Sequence, residues 1–441
     1  MSEYFTGGVH PPEHKITAFS EVVKLPLPEK VYLPIQQHIG APCKPLVNKG
    51  DQVLTGQVVA ESGGFVSSPI HASISGKVKE VAPYPHPMGR KVMTIVIESD
   101  GEDRWKKPLK TNKKYPDKPV DKLKELVAQA GIVGLGGATF PTHVKLSPPA
   151  EKKIDTIIIN GAECEPYLTA DHRLMLEQGE ELLEGIEIIQ KILGVKQAII
   201  GIEDNKMDAV HHLRLLDKDL LNVRVVPLTT HYPQGSEKHL VKALTGREIP
   251  PPPGLPMDAG VVVHNVGTVV AVRDAVVLGK PLIERVVTVT GQVNKPRNVS
   301  VRMGTPISQV IDFCGGFRGT PGKVILGGPM MGMAQHTLDV PVIKGTSGIL
   351  VQGEDEVFTD PYQTCIRCGF CVGACPMLLL PNLLGLYCEK GMYEEAAGED
   401  LTACIECGSC VYVCPAKRPM VQWVKLGKFD LAAKRAAQAK K

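Results

Sequence analysis

The sequence predicts a multidomain chain of mixed α/β and β architecture that ends in a cysteine-rich helical segment. Three observations lead there. At 441 residues the chain exceeds one ordinary domain. Its texture also changes along its length, from short glycine-broken strands to alternating strands and helices, then to strands again. Finally, eight of its twelve cysteines fall in two runs near the C-terminal end. Hydrophobic content of 43% and charged content of 22% are those of a globular protein with sizeable cores. A net charge of +3 gives no ground for nucleic-acid binding. No stretch approaches the run of about 18 apolar residues that a membrane span requires, and no basic–apolar–small pattern opens the chain. The expectation is a soluble protein, or one that sits on a membrane through partners.

Residues 1–30 are irregular and proline-rich, an extended arm. Residues 31–101 carry short alternating strands punctuated by Lys49-Gly50-Asp51, Thr55-Gly56-Gln57 and Ser75-Gly76-Lys77. Residues 102–120 are charged and proline-spaced, a linker. Residues 121–284 alternate helix and strand: a helix over Asp121–Ala130, a strand over Ile154–Ile159, an amphipathic helix over Asp171–Leu193 and a strand over Gln197–Ile202. A helix over Asn205–Leu215, a strand over Val223–Leu228, a helix over Ser236–Leu244 and a strand at Val261–Val263 follow. This order predicts a layered, mostly parallel, Rossmann-like domain. Residues 285–352 are β-rich with a short helix at Pro306–Cys314. In 353–425, helices are expected at Leu378–Lys390 and Met392–Ala397, and 426–441 reads as a basic helical tail with a solvated face.

The strongest chemical signal is Cys365-x2-Cys368-x2-Cys371-x3-Cys375-Pro376, repeated as Cys404-x2-Cys407-x2-Cys410-x3-Cys414-Pro415. Three thiolates of a cubane cluster can come from one tight loop, and the fourth must come from elsewhere, so each run lends its last cysteine to the other. One [4Fe–4S] cluster is therefore assigned to Cys365, Cys368, Cys371 and Cys414, and a second to Cys404, Cys407, Cys410 and Cys375. A pair of zinc sites would leave half of these ligands idle. Cys43, Cys314 and Cys388 read as small buried apolar residues. So many unpaired cysteines indicate a reducing compartment.

The second signal is Gly134-Leu-Gly136-Gly137-Ala-Thr-Phe140-Pro141-Thr-His-Val-Lys145. It follows a helix, and the residue three after Gly136 is Thr139, so the dinucleotide fingerprint fails in context and in sequence. Its glycines still let backbone N–H groups approach an anion, and Lys145 adds positive charge. A plain turn is the competing reading. The strand before Asn160-Gly-Ala162-Glu163-Cys164-Glu165-Pro166 places an asparagine and two acids where open α/β sheets bind ligands.

Residues 31–99 look like a lipoyl-type barrel-sandwich domain, but the hairpin tip Ser62-Gly63-Gly64 has no lysine to carry a swinging cofactor. The motifs GxGGxxFPxxxK (Gly134–Lys145), NxxExEP (Asn160–Pro166), YPxGxExxL (Tyr232–Leu240) and HNVGT (His264–Thr268) occur in the order found in the flavin-binding subunit of respiratory complex I. A β-grasp (SLBB-like) module and a cluster segment follow there too. With the barrel-sandwich and the two crossed cysteine runs, the whole chain resembles the family of C subunits of Rnf (Rsx) electron transport complexes, with an α-helical two-cluster ferredoxin-type domain.

That resemblance implies non-covalent FMN held by Gly134, Gly136, Gly137 and Lys145, with Asn160, Glu163, Gly235, Asn265 and Thr268 around it. It also implies NADH over the flavin, near Phe140, Glu165 and Glu237, with Glu165 at the reacting end. The implied activity is that of one subunit within an ion-translocating ferredoxin:NAD oxidoreductase. It would act at the cytoplasmic face of a bacterial membrane as a peripheral protein, beside integral-membrane and ferredoxin-type subunits. The chain departs from the complex I pattern at Ala162 (Asp there), Cys164 (Ser) and Ser236 (Glu). The segment bearing adenine-side contacts has no counterpart between Pro250 and Gly260. Two rival readings are the flavoprotein subunit of a soluble NAD-linked hydrogenase or formate dehydrogenase, and a cluster-wire assembly subunit without nucleotide binding.

Overall fold

The computed structural model describes residues 5–112, 114–216 and 223–438; residues 1–4 of the expected arm and 439–441 of the expected tail lie outside these. The arm runs along the surface of three later units and ends in β1 (Val23–Lys24). Seven strands follow: β2 (Lys30–Pro34), β3 (Lys44–Pro45), β4 (Gln52–Val53), β5 (Val58–Glu61), β6 (Ile70–His71), β7 (Gly76–Pro85) and β8 (Lys91–Ser99). They form two small sheets in the orders β2-β8-β7-β4 and β3-β5-β6. In β7, Gly76 and Val78 are buried and Lys77 and Lys79 exposed, the period-two pattern of a strand with one face on a core. The charged linker does not swing free, because Arg104 O and Lys106 N both bond Thr55 of the barrel-sandwich.

The central domain contains α1 (Val120–Gln129), α2 (Thr142–Lys145), β9 (Thr156–Gly161), α3 (Ala170–Glu177), α4 (Gly179–Leu193) and β10 (Gln197–Glu203). It continues through α5 (Met207–Leu216), β11 (Val223–Leu228), α6 (Glu237–Thr245), β12 (Val261–Asn265) and α7 (Val266–Arg273). The four strands are parallel in the order β11-β10-β9-β12. Ile157, Ile158 and Ile159 of β9 are all fully buried, as expected of a strand covered on both faces. The single helix expected over Asp171–Leu193 is two helices, interrupted at Gln178 (φ −131°, ψ 36°). At Gly179 a Cβ would lie 2.7 Å from the Leu216 side chain, so α4 starts where it can pack closely on α5.

The third unit holds β13 (Glu284–Gly291), β14 (Arg297–Arg302), α8 (Ile307–Phe313), β15 (Pro321–Leu326), β16 (Met333–Gln335) and β17 (Gly348–Gly353). Its sheet recruits the arm, in the order β1-β14-β13-β17-β15-β16. The last unit has α9 (Phe370–Gly373), α10 (Pro381–Glu389), α11 (Tyr393–Gly398), α12 (Ser409–Tyr412) and α13 (Met420–Gln438). The described part of the expected tail, 426–438, is therefore the continuation of a helix that begins at Met420. Val421, Val424, Gly427 and Leu431 of α13 are buried, and Val424 and Leu431 pack with Leu384, Cys388, Ala396 and Leu401. Ala432, Ala433, Lys434, Arg435, Ala436 and Ala437, which suggested a separate tail, are exposed, whereas Lys428 turns back to pair with Glu406 at 2.7 Å.

A test follows from that packing. Leu431→Ala should destabilise the C-terminal unit by about 2–3 kcal/mol, the cost of emptying a buried leucine site near a helix end. Denaturant unfolding monitored by loss of cluster absorbance would show an earlier midpoint; an unchanged midpoint would mean the second half of α13 is solvated.

Candidate cofactor sites

In the sheet order β11-β10-β9-β12, the chain runs outward from β9 in one direction and returns to its other side with β12. The crevice beyond the C-terminal ends of β9 and β12 is thus a topological switch point, where α/β sheets bind ligands. Asn160 and Asn265 are paired in register at those two ends. Asn265 Oδ1 accepts from the backbone N–H of Gly267 (2.9 Å) and Thr268 (3.4 Å), capping α7, while its Nδ2 donates to Asp171 Oδ2 at 2.6 Å. Asn160 Nδ2 donates to Gly235 O at 2.8 Å and so fixes the loop before α6.

The glycine loop closes on the same place. Gly134 N donates to Phe140 O (2.9 Å) and Leu135 N to Thr268 Oγ1 (2.8 Å). A Cβ on Gly136 would stand 3.2 Å from Asn265 Cβ, whereas one on Gly137 would meet open space. Lys145 Nζ, at the end of α2, donates to Val263 O (3.1 Å) and to Glu237 Oε1 (3.0 Å), and both side chains of that pair stay partly exposed. Gly134, Gly136, Gly137, Phe140, Lys145, Asn160, Gly235, Glu237, Asn265 and Thr268 are thereby contiguous. Exposed backbone at the glycine loop, the N-terminus of α7 and one lysine suit a phosphate-bearing cofactor.

The two remaining acids point elsewhere. Glu163 is buried, and its carboxylate accepts from Asp171 N (3.1 Å) and His172 N (3.2 Å) at the start of α3. Glu165 accepts from Met330 N (3.1 Å) and Met331 N (2.8 Å) of the third unit, and burial pushes its carboxyl up to about 7. A Cβ on Gly328 would fall on the Glu165 carboxylate, so this notch needs a residue without a side chain. Cys164 lies on a cavity of about 140 Å³ that His10, Lys15, Glu203 and Tyr232 also line.

Three further residues act here that the sequence did not single out. Lys15 of the arm, its pKa lowered by burial, donates to Glu163 O (2.8 Å), Glu165 O (3.0 Å) and Leu168 O (2.7 Å). Arg285 of β13 donates to Leu135 O (3.2 Å) from beneath the glycine loop. Asp171, its carboxyl raised by burial and by the neighbouring Glu163, accepts a hydrogen bond from the Asn265 amide and fixes it. None carries a local sequence signal, because each acts from a different element on a loop remote in sequence.

The cysteine runs have one shape written twice. Arg367 and Glu406, at the third position of each run, have φ of 56° and 58°, and Gly369 and Gly408, at the fifth, have 78° and 83°. Leu378 and Lys417, three residues after each Cys-Pro cysteine, repeat the left-handed turn at 57° and 51°. Holding residues other than glycine in this conformation costs energy, and the surrounding structure imposes it identically at both sites. Cys371 has Cys414 and Cys368 as electrostatic neighbours, while Cys410 has Cys404, Cys407 and Cys375, with Cys371 weakest. These are the neighbours that a crossed grouping requires. Burial raises the thiols of Cys371, Cys404, Cys407 and Cys410.

The two sites share a wall. Tyr232, inside the YPxG motif, donates its hydroxyl to Cys407 O at 2.7 Å and lies against Glu165. His239 Nε2 bonds Pro376 O at 3.1 Å, and Gly8 N of the arm bonds Ala374 O at 3.0 Å. Cys407 and Cys375 are buried at this wall, whereas Cys365 and Cys368 are exposed.

Comparison with known proteins agrees with each part. Residues 3–102 match the RnfC barrel sandwich hybrid domain, 127–274 the Nuo51 FMN-binding domain, 286–334 the SLBB domain and 359–415 the 4Fe-4S dicluster domain. The chain is 51% identical to the C subunit of the proton-translocating ferredoxin:NAD(+) oxidoreductase complex of Clostridium ljungdahlii, covering 96% of this chain and 93% of that one. It is 48% identical to the Na(+)-translocating counterpart of Acetobacterium woodii, over 98% of each chain. The chain belongs to the family of C subunits of ion-translocating oxidoreductase complexes. A Rhodobacter capsulatus member is 47% identical over 98% of this chain and 83% of its own length. The fold is also similar to a chain of NAD+-reducing [NiFe]-hydrogenase, with a TM-score of 0.50 at 20% identity, covering 73% of this chain and 67% of that one. Family membership over nearly the full length leaves the hydrogenase and assembly-subunit readings unsupported.

Two tests follow. Cys375→Ser should damage the cluster built mainly on Cys404, Cys407 and Cys410, and Cys414→Ser the one built on Cys365, Cys368 and Cys371. Paramagnetic resonance of the reduced variants distinguishes the two, and damage confined to each cysteine's own run would refute the crossing.

The second concerns pH. With its carboxyl raised from 4.5 to about 7, Glu165 keeps a proton in the folded state that the unfolded chain has lost. Its contribution is fully present below pH 4.5 and disappears as pH rises through about 7. Glu165→Gln should therefore gain stability relative to wild type across that window, by up to about 3 kcal/mol. A pH-independent difference in unfolding free energy would contradict a protonated, buried Glu165.

Proposed function

We propose that this chain is the NAD(H)-facing electron-transfer subunit of an ion-translocating ferredoxin:NAD oxidoreductase complex. It carries non-covalent FMN and two [4Fe–4S] clusters. The observation that carries the reading is the shared wall: Tyr232 belongs to a loop of the flavin site and touches the backbone of a cluster ligand. NADH delivers two electrons as a hydride, whereas each cubane takes one at a time. Bound FMN supplies the conversion, since a flavin accepts a pair and releases single electrons.

The protein's own part is placement. Gly134, Gly136 and Gly137 offer backbone N–H groups, the capped N-terminus of α7 adds partial positive charge, and Lys145 adds a full one. Asn160, Asn265 and Thr268 hold the surrounding loops, with Phe140 and Glu237 on the open side for NADH. Glu163 and Glu165 set the shape of the loop after β9 through their backbone partners. The Cys404, Cys407, Cys410 and Cys375 cluster lies on the flavin side of the wall. The Cys365, Cys368, Cys371 and Cys414 cluster lies at the exposed end, where a ferredoxin-type subunit would exchange electrons. Among the described residues no helix is long and apolar enough to cross a membrane. Integral-membrane partners would hold the chain peripherally at the cytoplasmic face and perform the translocation.

Gly136→Val tests the site directly. A branched side chain would collide with Asn265 and fill the space the cofactor needs. The purified variant should lack flavin absorbance, keep the iron content of wild type, and lose NADH-dependent ferricyanide reduction. Full flavin occupancy would exclude this loop as the site.

A further inference from the structure

The hairpin tip between β5 and β6 leans on the glycine loop, and it carries an exposed aromatic side chain. Phe65 is 69% exposed. Its carbonyl accepts a hydrogen bond from His143 Nε2 at 3.1 Å, and its ring meets the His143 ring edge-on with centroids 6.0 Å apart. Next to it, Ile39, itself 51% exposed, donates its N–H to Thr139 O at 3.4 Å. Thr139 and His143 flank Phe140 within the loop assigned to the flavin. Two exposed apolar side chains of the barrel-sandwich domain thus sit on the rim of a cofactor site in another domain.

The tip is rigid. Gly63 N bonds Ser67 Oγ (3.0 Å), Ser67 Oγ bonds Ala41 O (2.9 Å), and Ala41 N bonds Val66 O (2.9 Å). Ser68 N bonds His38 Nε2 at 3.1 Å, tying the end of the tip to the strand-to-strand turn that carries Ile39. An exposed leucine or phenylalanine on a mobile loop needs no explanation. A large apolar ring held out by this many bonds, in contact with a cofactor loop, is preorganised for a partner.

We propose that Phe65, with Ile39 beside it, is the stacking platform for the adenine of NAD(H). The inference rests on the function proposed above. A dinucleotide carries an aromatic base at each end of its pyrophosphate. With the nicotinamide over a flavin seated at the glycine loop, the other base lies beyond the flavin, and the rim of that loop is where Phe65 and Ile39 stand. A flat neutral heterocycle gains most from an aromatic face. The segment from Pro250 to Gly260 lies at the other border of the α/β domain, at the entry to β12, and holds no aromatic side chain. The barrel-sandwich tip, with no lysine to carry a cofactor of its own, supplies the aromatic ring instead.

The test uses the full-length protein with FMN and both clusters in place, and equilibrium binding of two probes measured by calorimetry. The probes are NADH and reduced nicotinamide mononucleotide, which lacks the adenosine half. Phe65→Ala should weaken NADH about tenfold, the size of one stacked base. It should leave the mononucleotide and the flavin and iron contents unchanged. Phe65→Trp should restore NADH binding, since it keeps the stacking face. Unchanged NADH affinity in Phe65→Ala, or an equal loss for both probes, would overturn the inference while leaving the proposed function standing. Failure of the wild-type holoprotein to bind NADH at all would overturn both.

Discussion

The loop from Asn160 to Thr169 is held from three sides, and the rest of the molecule is organised around that constraint. Lys15 gathers three of its carbonyls, the backbone of Met330 and Met331 takes the Glu165 carboxyl, and Tyr232 bridges toward Cys407. Arm, third sheet and cluster unit therefore meet at the one loop that follows the switch-point strand. A buried lysine and a buried carboxyl are costly to desolvate, and hydrogen bonds across domain boundaries offset part of that cost for each. Separating the domains would remove those hydrogen bonds from both. Electron transfer needs this rigidity, because a flavin and a cluster on independently moving domains would hold no fixed separation.

The glycine loop is supported in the same way from below. Arg285 reaches it from the third sheet, and Lys344, fully buried, donates to Gly131 O (2.6 Å) and Pro69 O (2.9 Å), joining the barrel-sandwich to the turn that starts the loop. The β-rich units on either side of the α/β domain contribute no cluster and no flavin motif. They fix the loops that do, and the barrel-sandwich also presents Phe65 at the rim.

Much of this was legible in the sequence wherever a local pattern reports on local chemistry. The cysteine spacing, the alternation of strands and helices, and the glycine loop each carry their own signal, and the structure gathers Asn160, Asn265, Lys145 and Glu237 as the motifs imply. Breaks set by tertiary packing were not legible. Nothing in the amphipathic run from Asp171 to Leu193 shows that the helix is interrupted at Gln178, where Gly179 packs closely on α5. The lysine-rich surface of α13 likewise hides the fact that its other face completes the cluster unit. The roles of Lys15, Asp171 and Arg285 were invisible for a different reason: their partners lie far away in sequence. Glu165 shows the limit most clearly, since its motif suggests a ligand contact and its carboxyl is engaged by the third sheet.

The central claim is that electrons pass between NAD(H) and the clusters only through flavin bound at the switch point. The direct measurement is the rate at which NAD+ reoxidises chemically reduced clusters, followed by stopped-flow absorbance in the holoprotein and after FMN removal. The account predicts rapid reoxidation in the holoprotein, its loss in the FMN-free protein and its return when FMN is restored. Equal rates with and without FMN would contradict it.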